Sequence, residues 1–96
     1  MNKYSFSQIN EEALHRARNL LQEWFPQGRL MGQQFRVGSL NGDKGSSLSI
    51  SLVSGKWHDF ATGDAGGDLI SLYAAVQNIS QGKALQEIES KLIINP

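Results

Sequence analysis

The 96-residue sequence contains no cysteine, which excludes disulfide bonds and zinc sites built from thiolates. It has no apolar run approaching the roughly 20 residues that a membrane-spanning helix needs. Its first residues, MNKYSFSQINEE, lack the apolar segment of a secretory signal. Nine basic and nine acidic side chains cancel, which argues against a strongly cationic nucleic-acid-binding protein. From these absences we expect a cytoplasmic protein that does not enter a membrane.

The residues that are present are sufficient for one folded domain. Apolar residues make up 40% of the chain and include two tryptophans, while four phenylalanines add further bulk. A chain of this length has little room for a second core. We therefore expect a single domain over residues 1–96, with an N-terminal helical part (1–27), a sheet (28–63) and a C-terminal helical part (64–96). The apolar tail at residues 92–96 leads us to expect that this domain is a module of a longer protein.

Helical periodicity appears at both ends of the chain. Apolar residues at three- and four-residue spacing predict a helix over residues 9–25, with Asn10 as its N-cap. Asp68 is predicted to cap a second helix that ends near Asn78, a residue type that tolerates left-handed backbone geometry. Ser80 is predicted to cap a last helix. These patterns give one helix before the sheet and two after it.

The middle of the chain alternates in the manner of short strands. Residues 33–40, 48–52 and 56–60 predict three antiparallel strands joined by glycine-containing turns. The third strand has two residues on each face: Trp57 and Asp59 on one, and His58 and Phe60 on the other. The predicted fold class is therefore α+β, with an N-terminal helix, a small three-stranded antiparallel meander and two C-terminal helices.

Residues 55–69, GKWHDFATGDAGGDL, combine a histidine, three aspartates and four glycines. We expect no metal site, because a transition metal needs several imidazole or thiolate ligands and a calcium loop needs a closing glutamate. We expect no phosphate cradle, since the aspartates at the helix start would repel the anion. No serine has a recognisable histidine–aspartate relay, so we also expect no catalytic residue, no cofactor and no enzymatic activity.

The charge is distributed unevenly along the chain, which leaves nucleic-acid binding open. Residues 26–58 carry four basic side chains against one acidic, whereas residues 59–96 carry two basic against five acidic. A small sheet with basic side chains, hydroxyls and a tryptophan can hold a single strand by stacking and phosphate contacts. The alternatives are that Trp57 packs in the core and that His58 is an ordinary exposed side chain. Trp24 and Phe25 are likewise either a stacking platform or a core anchor.

The stretch SSLSISLVSGKWHDFATGDAGGDLISLYAAV, with the later SQGKALQEI, resembles the N-terminal zinc-ribbon-like domain of bacterial and phage DNA primases. The resemblance is to the variant found ahead of Toprim or helicase modules in phage and plasmid primase–helicase proteins. It extends from about Gly28 to Leu92 and is carried by Gly-Lys/Arg-Trp-x-Asp-Phe-Ala-Thr-Gly followed by Gly-Gly-Asp. The matching positions are Gly55, Lys56, Trp57, Asp59, Phe60, Ala61, Thr62, Gly63, Gly66, Gly67, Asp68, Ser80 and Ala84.

The zinc-bearing relatives place one ligand pair before the SLSI-like strand and another pair after the aromatic strand, and this chain has no cysteine in either place. The resemblance therefore implies a ribbon without its ion, although structural zinc can contribute about 10 kcal/mol to folding. We expect Asp59, Thr62 and Asp68 to accept hydrogen bonds from loop N–H groups, and Trp57 and Phe60 to fill the space. The predicted structural motif is Asp59, Phe60, Thr62, Gly63, Gly66, Gly67 and Asp68.

The resemblance implies a non-catalytic, DNA-associated module of a replication protein that helps to engage single-stranded template DNA. The residues that it carries over as contacts are Arg36, Lys44, Lys56, Trp57 and His58. The implied partners are single-stranded DNA and a Toprim, primase or helicase domain of the same or a partner chain. The alternative is a protein-interaction or scaffold domain that docks on the polymerase or helicase part without touching DNA.

Overall fold

The computed structural model describes residues 4–93 and shows an α+β fold with four helices and a five-stranded sheet in that range. In chain order the elements are α1 (Phe6–His15), α2 (Ala17–Trp24), β1 (Arg29–Met31), β2 (Gln34–Val37), β3 (Leu48–Ser51), β4 (Trp57–Asp59), β5 (Ala65–Gly66), α3 (Leu69–Gln77) and α4 (Gln81–Ile93). The strands lie in the sheet in chain order and each pairs antiparallel with the next. The sheet is therefore a meander.

The N-terminal helix begins earlier than predicted and is interrupted. Ser5 and Gln8 form a reciprocal capping box, which starts α1 at Phe6. The prediction of Asn10 as N-cap is wrong, because Asn10 lies inside α1 and its Oδ1 accepts the N–H of Ile70 at 3.1 Å. The helix breaks at Arg16, whose N–H donates to the carbonyl of Ala13 instead of following the α-helical pattern.

The three predicted strands are β2, β3 and β4, but the prediction of only three is wrong. The added strand β1 is exposed at all three positions, so it lacks the apolar alternation that marks a strand in a sequence. The other, β5, has two residues and follows a tight turn in which the N–H of Asp59 donates to the carbonyl of Asp64 at 2.8 Å. Neither strand could be recognised from periodicity.

The core lies between one face of the sheet and the helices. Inward-facing strand residues Phe35, Val37, Leu48 and Ile50 are completely buried. The register brings Phe35, Ile50 and Trp57 into one cross-strand row on this inner face. The helices supply the other side of the core with residues including Ala13, Leu21, Leu72 and Ile88. The opposite, outer face of the sheet is left to solvent.

Both C-terminal helices begin as predicted, and α3 also ends as predicted. The carboxylate of Asp68 accepts the N–H of Ser71 at 2.8 Å, and α3 ends at Asn78 with a left-handed φ of 57°. Ser80 accepts the N–H of Lys83 at 3.1 Å at the start of α4.

The aromatic pair at the end of α2 is a core anchor. Phe25 is fully buried, and Trp24 is half-buried with its ring centroid 4.9 Å from that of Tyr73. The core alternative for this pair is therefore confirmed. None of the helices within residues 4–93 is long and apolar enough to cross a membrane.

Candidate nucleic-acid interface

Asp59 organises the turn between β4 and β5. Its side chain is only 1% exposed, and its Oδ1 accepts the N–H groups of Ala61 at 2.9 Å and Thr62 at 3.4 Å. Its carbonyl also accepts the N–H of Gly63, which adopts a φ of 85°. One buried carboxylate thus holds the turn between β4 and β5.

The other two polar residues of the motif complete this arrangement. The hydroxyl of Thr62 accepts the N–H of Asp64 at 3.1 Å and donates to the Asp64 carboxylate at the same distance. Asp68 caps α3. Asp59 and Thr62 accept loop N–H groups as expected, whereas Asp68 accepts a helix N–H, that of Ser71 in α3.

Trp57 packs under the sheet, and the core alternative for this residue is confirmed. The side chain is 5% exposed, and its indole N–H donates to the hydroxyl of Ser71 at 3.0 Å. A Cβ at Gly66 would collide with this indole and lie 2.5 Å from the Ser71 hydroxyl, so glycine is required there. Gly67, by contrast, has open space around it. The prediction that Trp57 stacks on a nucleic acid is wrong, because its ring has no free face.

Phe60 is the exposed aromatic residue of the motif. It is 65% exposed, so the prediction that it fills the space left by zinc is wrong. Strand alternation is the reason, since Phe60 follows β4 on the face opposite to Trp57 and Asp59. Its backbone N–H donates to the carbonyl of Ser47 at 2.8 Å, which continues the pairing of β3 with β4.

The outer face of the sheet carries a continuous cross-strand row. The register pairs Arg29 with Arg36, Arg36 with Ser49, Ser49 with His58, and His58 with Ala65. The row contains two arginines, a histidine and no acidic residue. Arg36 and His58 are among the contacts that the resemblance implies, whereas Arg29 is one of the basic residues of the 26–58 stretch, and its place in the row comes from strand β1.

Phe60, His58 and Arg36 lie together on this face. The rings of His58 and Phe60 meet edge to face with centroids 4.5 Å apart, and the guanidinium carbon of Arg36 lies 5.8 Å from the Phe60 centroid. Arg36 donates to Gln34 Oε1 at 3.1 Å and to the carbonyl of Ser46 at 3.2 Å. We call Arg29, Arg36, His58 and Phe60 the outer-face cluster. It offers an aromatic surface beside guanidinium groups, which suits a base and its phosphate.

The two predicted lysines lie at different ends of the sheet. Lys44 lies in the loop between β2 and β3 and lines a cleft together with Arg29. Lys56 precedes β4, and its carbonyl accepts the N–H of Ser51 at 2.8 Å. At about 3.3 Å per strand residue, Lys56 is roughly 13 Å from Phe60 along the chain direction. Lys44 therefore lies near Arg29 of the outer-face cluster, whereas Lys56 lies two residues before His58, on the same face by strand alternation and farther from Phe60.

Residues 4–93 contain no group of three or more histidine or carboxylate side chains arranged to hold a metal ion. In comparisons with known proteins, the chain matches no family model, no curated protein and no solved structure. The outer-face cluster is therefore the feature from which a function can be argued.

Proposed function

We propose that this chain is a non-catalytic module of a primase–helicase type of replication protein, with a zinc-less ribbon-like sheet that engages single-stranded template DNA. The observation that carries the proposal is Phe60, which is 65% exposed on the sheet and has His58 and Arg36 beside its ring. The guanidinium and imidazole groups beside its ring distinguish Phe60 from the other exposed apolar side chains, because an aromatic face next to a cation suits a stacked base and its phosphate. The sequence resemblance supplies the replication context.

A single strand suits the outer-face cluster better than a duplex, because only an unpaired base presents both faces for stacking. A base on Phe60 contributes about 1–3 kcal/mol. Arg36 is held by Gln34 and Ser46, so it can contact the adjacent phosphate with little loss of side-chain entropy. Under this proposal, primer synthesis or unwinding takes place in a separate domain, and this module positions the template.

Binding of a fluorescent oligothymidylate to the wild-type chain at low salt, followed by anisotropy, tests this proposal. Phe60→Ala is expected to weaken binding by about 5- to 150-fold, the equivalent of one stacked base. Phe6→Ala is the matched control, since Phe6 is also exposed, at 44%, but lies at the start of α1. With three phosphate contacts, the logarithm of the affinity should fall with the logarithm of salt with a slope of about −2.

Equal affinities for the Phe60→Ala and Phe6→Ala variants would refute the role of the outer-face cluster. Absence of wild-type binding at low salt would refute DNA engagement altogether.

A second candidate is a scaffold domain that docks on the polymerase or helicase part without touching DNA. It is favoured by exposed apolar side chains on the edge strand β1 and in the turn after β3: Leu30 at 48%, Met31 at 49% and Val53 at 62%. The balanced net charge also fits this candidate better than a cationic groove. A Met31→Ser, Val53→Ser double variant tests this candidate. Loss of association with a primase or helicase domain, with unchanged oligothymidylate affinity, would support docking through these apolar side chains.

A further inference from the structure

A cleft of about 570 Å³ lies beside the edge strand β1, next to the outer-face cluster. Its lining comprises Pro26, Gln27, Arg29, Lys44 and Gly45. We propose that this cleft binds backbone phosphate of the same DNA strand, so that the strand continues from Phe60 across β2 and over β1. This inference rests on the proposed function and adds a second contact region to it.

The charge of the cleft suits a phosphodiester. Arg29 and Lys44 both line it, and no carboxylate does. Asp43 precedes Lys44 and keeps its negative charge, but its carboxylate does not line the cleft and accepts a hydrogen bond from the hydroxyl of Ser39. Within residues 4–93, neither Arg29 nor Lys44 makes a side-chain hydrogen bond, and the ion pair found there joins Lys91 to Glu23. Both cations of the cleft are therefore available to an anion.

Both walls of the cleft are fixed by the fold. On one side, the amide of Gln22 donates to the carbonyls of Pro26 at 3.2 Å and Gly28 at 3.4 Å. On the other side, the N–H of Gly38 donates to the carbonyl of Asp43 at 2.7 Å. A Cβ at Gly38 would collide with the carbonyl of Lys44, so the loop can approach this closely only because residue 38 is glycine. The backbone at Lys44 is thus held in place before any ligand binds.

The cleft is continuous with the outer-face cluster. Arg29 pairs with Arg36 in the sheet register, and the Arg36 guanidinium lies beside Phe60. Three strand spacings of about 4.8 Å separate β4 from β1, which gives roughly 14 Å. A stacked strand advances about 3.4 Å per nucleotide, so this path accommodates about four nucleotides. The cleft itself would hold the phosphates of about two further nucleotides.

Length dependence of binding tests the inference. We would measure the affinity of the wild-type chain for oligothymidylates of about three, five, seven and nine nucleotides by fluorescence competition at low salt. We expect wild-type affinity to rise up to about six or seven nucleotides. Lys44→Ala should weaken binding of the longest oligomers about two- to fivefold, as expected for one exposed charge contact. It should leave the trimer within about twofold and reduce the salt slope of the longest oligomer by about 0.7.

Lys83→Ala is the matched control, because it also removes one exposed lysine but lies on α4, in the helical layer behind the sheet. Lys44→Gln, which retains a polar side chain, serves as a second variant and should behave like Lys44→Ala. Equal losses for trimer and nonamer on Lys44→Ala, or the same length effect from Lys83→Ala, would overturn the cleft.

The two proposals fail in different ways. If Phe60→Ala weakens binding but Lys44→Ala weakens short and long oligomers equally, only the proposal about the cleft is refuted. If Phe60→Ala does not weaken binding, the proposed function itself is refuted.

Discussion

Replacing Asp59 with alanine is expected to destabilise the fold more than any other single change of an acidic residue in the 55–69 motif. The side chain is 1% exposed and accepts two backbone N–H groups, from Ala61 and Thr62. Hydrogen bonds to a charged group contribute about 1.5–3 kcal/mol each. Residues 61 and 62 are exposed, so water can reach the released N–H groups and recover part of that loss. We therefore expect a cost of about 2–3 kcal/mol.

Thermal unfolding followed by circular dichroism measures this cost. For a domain of this size, 1 kcal/mol corresponds to about 4–8 °C in Tm, so Asp59→Ala should lower Tm by roughly 10–20 °C. Asp59→Asn keeps an acceptor oxygen and should fall between the wild type and the alanine variant. Asp64→Ala is the control, since Asp64 is exposed and its carboxylate accepts only the Thr62 hydroxyl among the described contacts. It should cost less than about 0.5 kcal/mol.

The reasoning would be refuted by an Asp59→Ala variant whose Tm lies within about 2 °C of the wild type or of Asp64→Ala. Such a result would mean that packing holds the turn and that the hydrogen bonds of the buried carboxylate contribute little to its stability.

Two further predictions concern the helical layer. Asn10→Ala removes the side-chain acceptor of the Ile70 N–H. It should lower the free energy of unfolding, measured in urea, by about 1 kcal/mol, as the loss of an N-terminal cap does. An equal effect of Asn19→Ala, which lies on the exposed surface of α2, would contradict this. Burial, followed by the hydrogen bond to Glu87, raises the pKa of Tyr73 from 10.0 to about 12. Its protonated form therefore contributes stability in full below pH 10, and this contribution is lost as the pH rises toward 12. The free energy of unfolding in urea should fall over that pH range in the wild type and not in Tyr73→Phe. An equal fall in both proteins would contradict the assignment of this pH dependence to Tyr73.

Much of the fold follows from local patterns in the sequence. Leu48 and Ile50 alternate with serines, and this alternation correctly separates a buried from an exposed face in β3. Asp68, Asn78 and Ser80 mark helix ends because their side chains or backbone geometry satisfy unpaired helix-terminal groups. These signals depend on residues close in sequence, so they can be recognised without the tertiary structure.

The errors arise where distant residues decide the outcome. Asn10 is a good helix cap by type, but Ser5 and Gln8 form a better local cap and Asn10 serves a helix 60 residues away. Strand β1 forms through its pairing with β2, although none of its residues is buried. Neither the partner of Asn10 nor the pairing of β1 can be derived from periodicity.

The candidate site shows the same division. Alternation places Trp57 and Asp59 on one face of β4 and His58 and Phe60 on the other, but it does not tell which face is buried. The pairing decides this, because Trp57 lies opposite Ile50 on the inner face of the sheet. Arg29 could not be assigned, since its place in the row depends on the unrecognised strand β1.

The burial of Asp59 and the exposure of Phe60 are two consequences of one local structure. Side chains alternate between the two faces up to the end of β4. Because Asp59 holds the turn from the inner face, the next residue, Phe60, must lie on the outer face. The N–H of Phe60 donates to Ser47, and the turn that follows is closed by Asp59, so the ring is held on the sheet beside Arg36. Under the proposed function, a variant that loosens the turn should therefore weaken oligothymidylate binding even where the chain remains folded. Asp59→Asn, measured at a temperature well below its Tm, should show part of the loss of affinity expected for Phe60→Ala, whereas Asp64→Ala should retain the wild-type affinity.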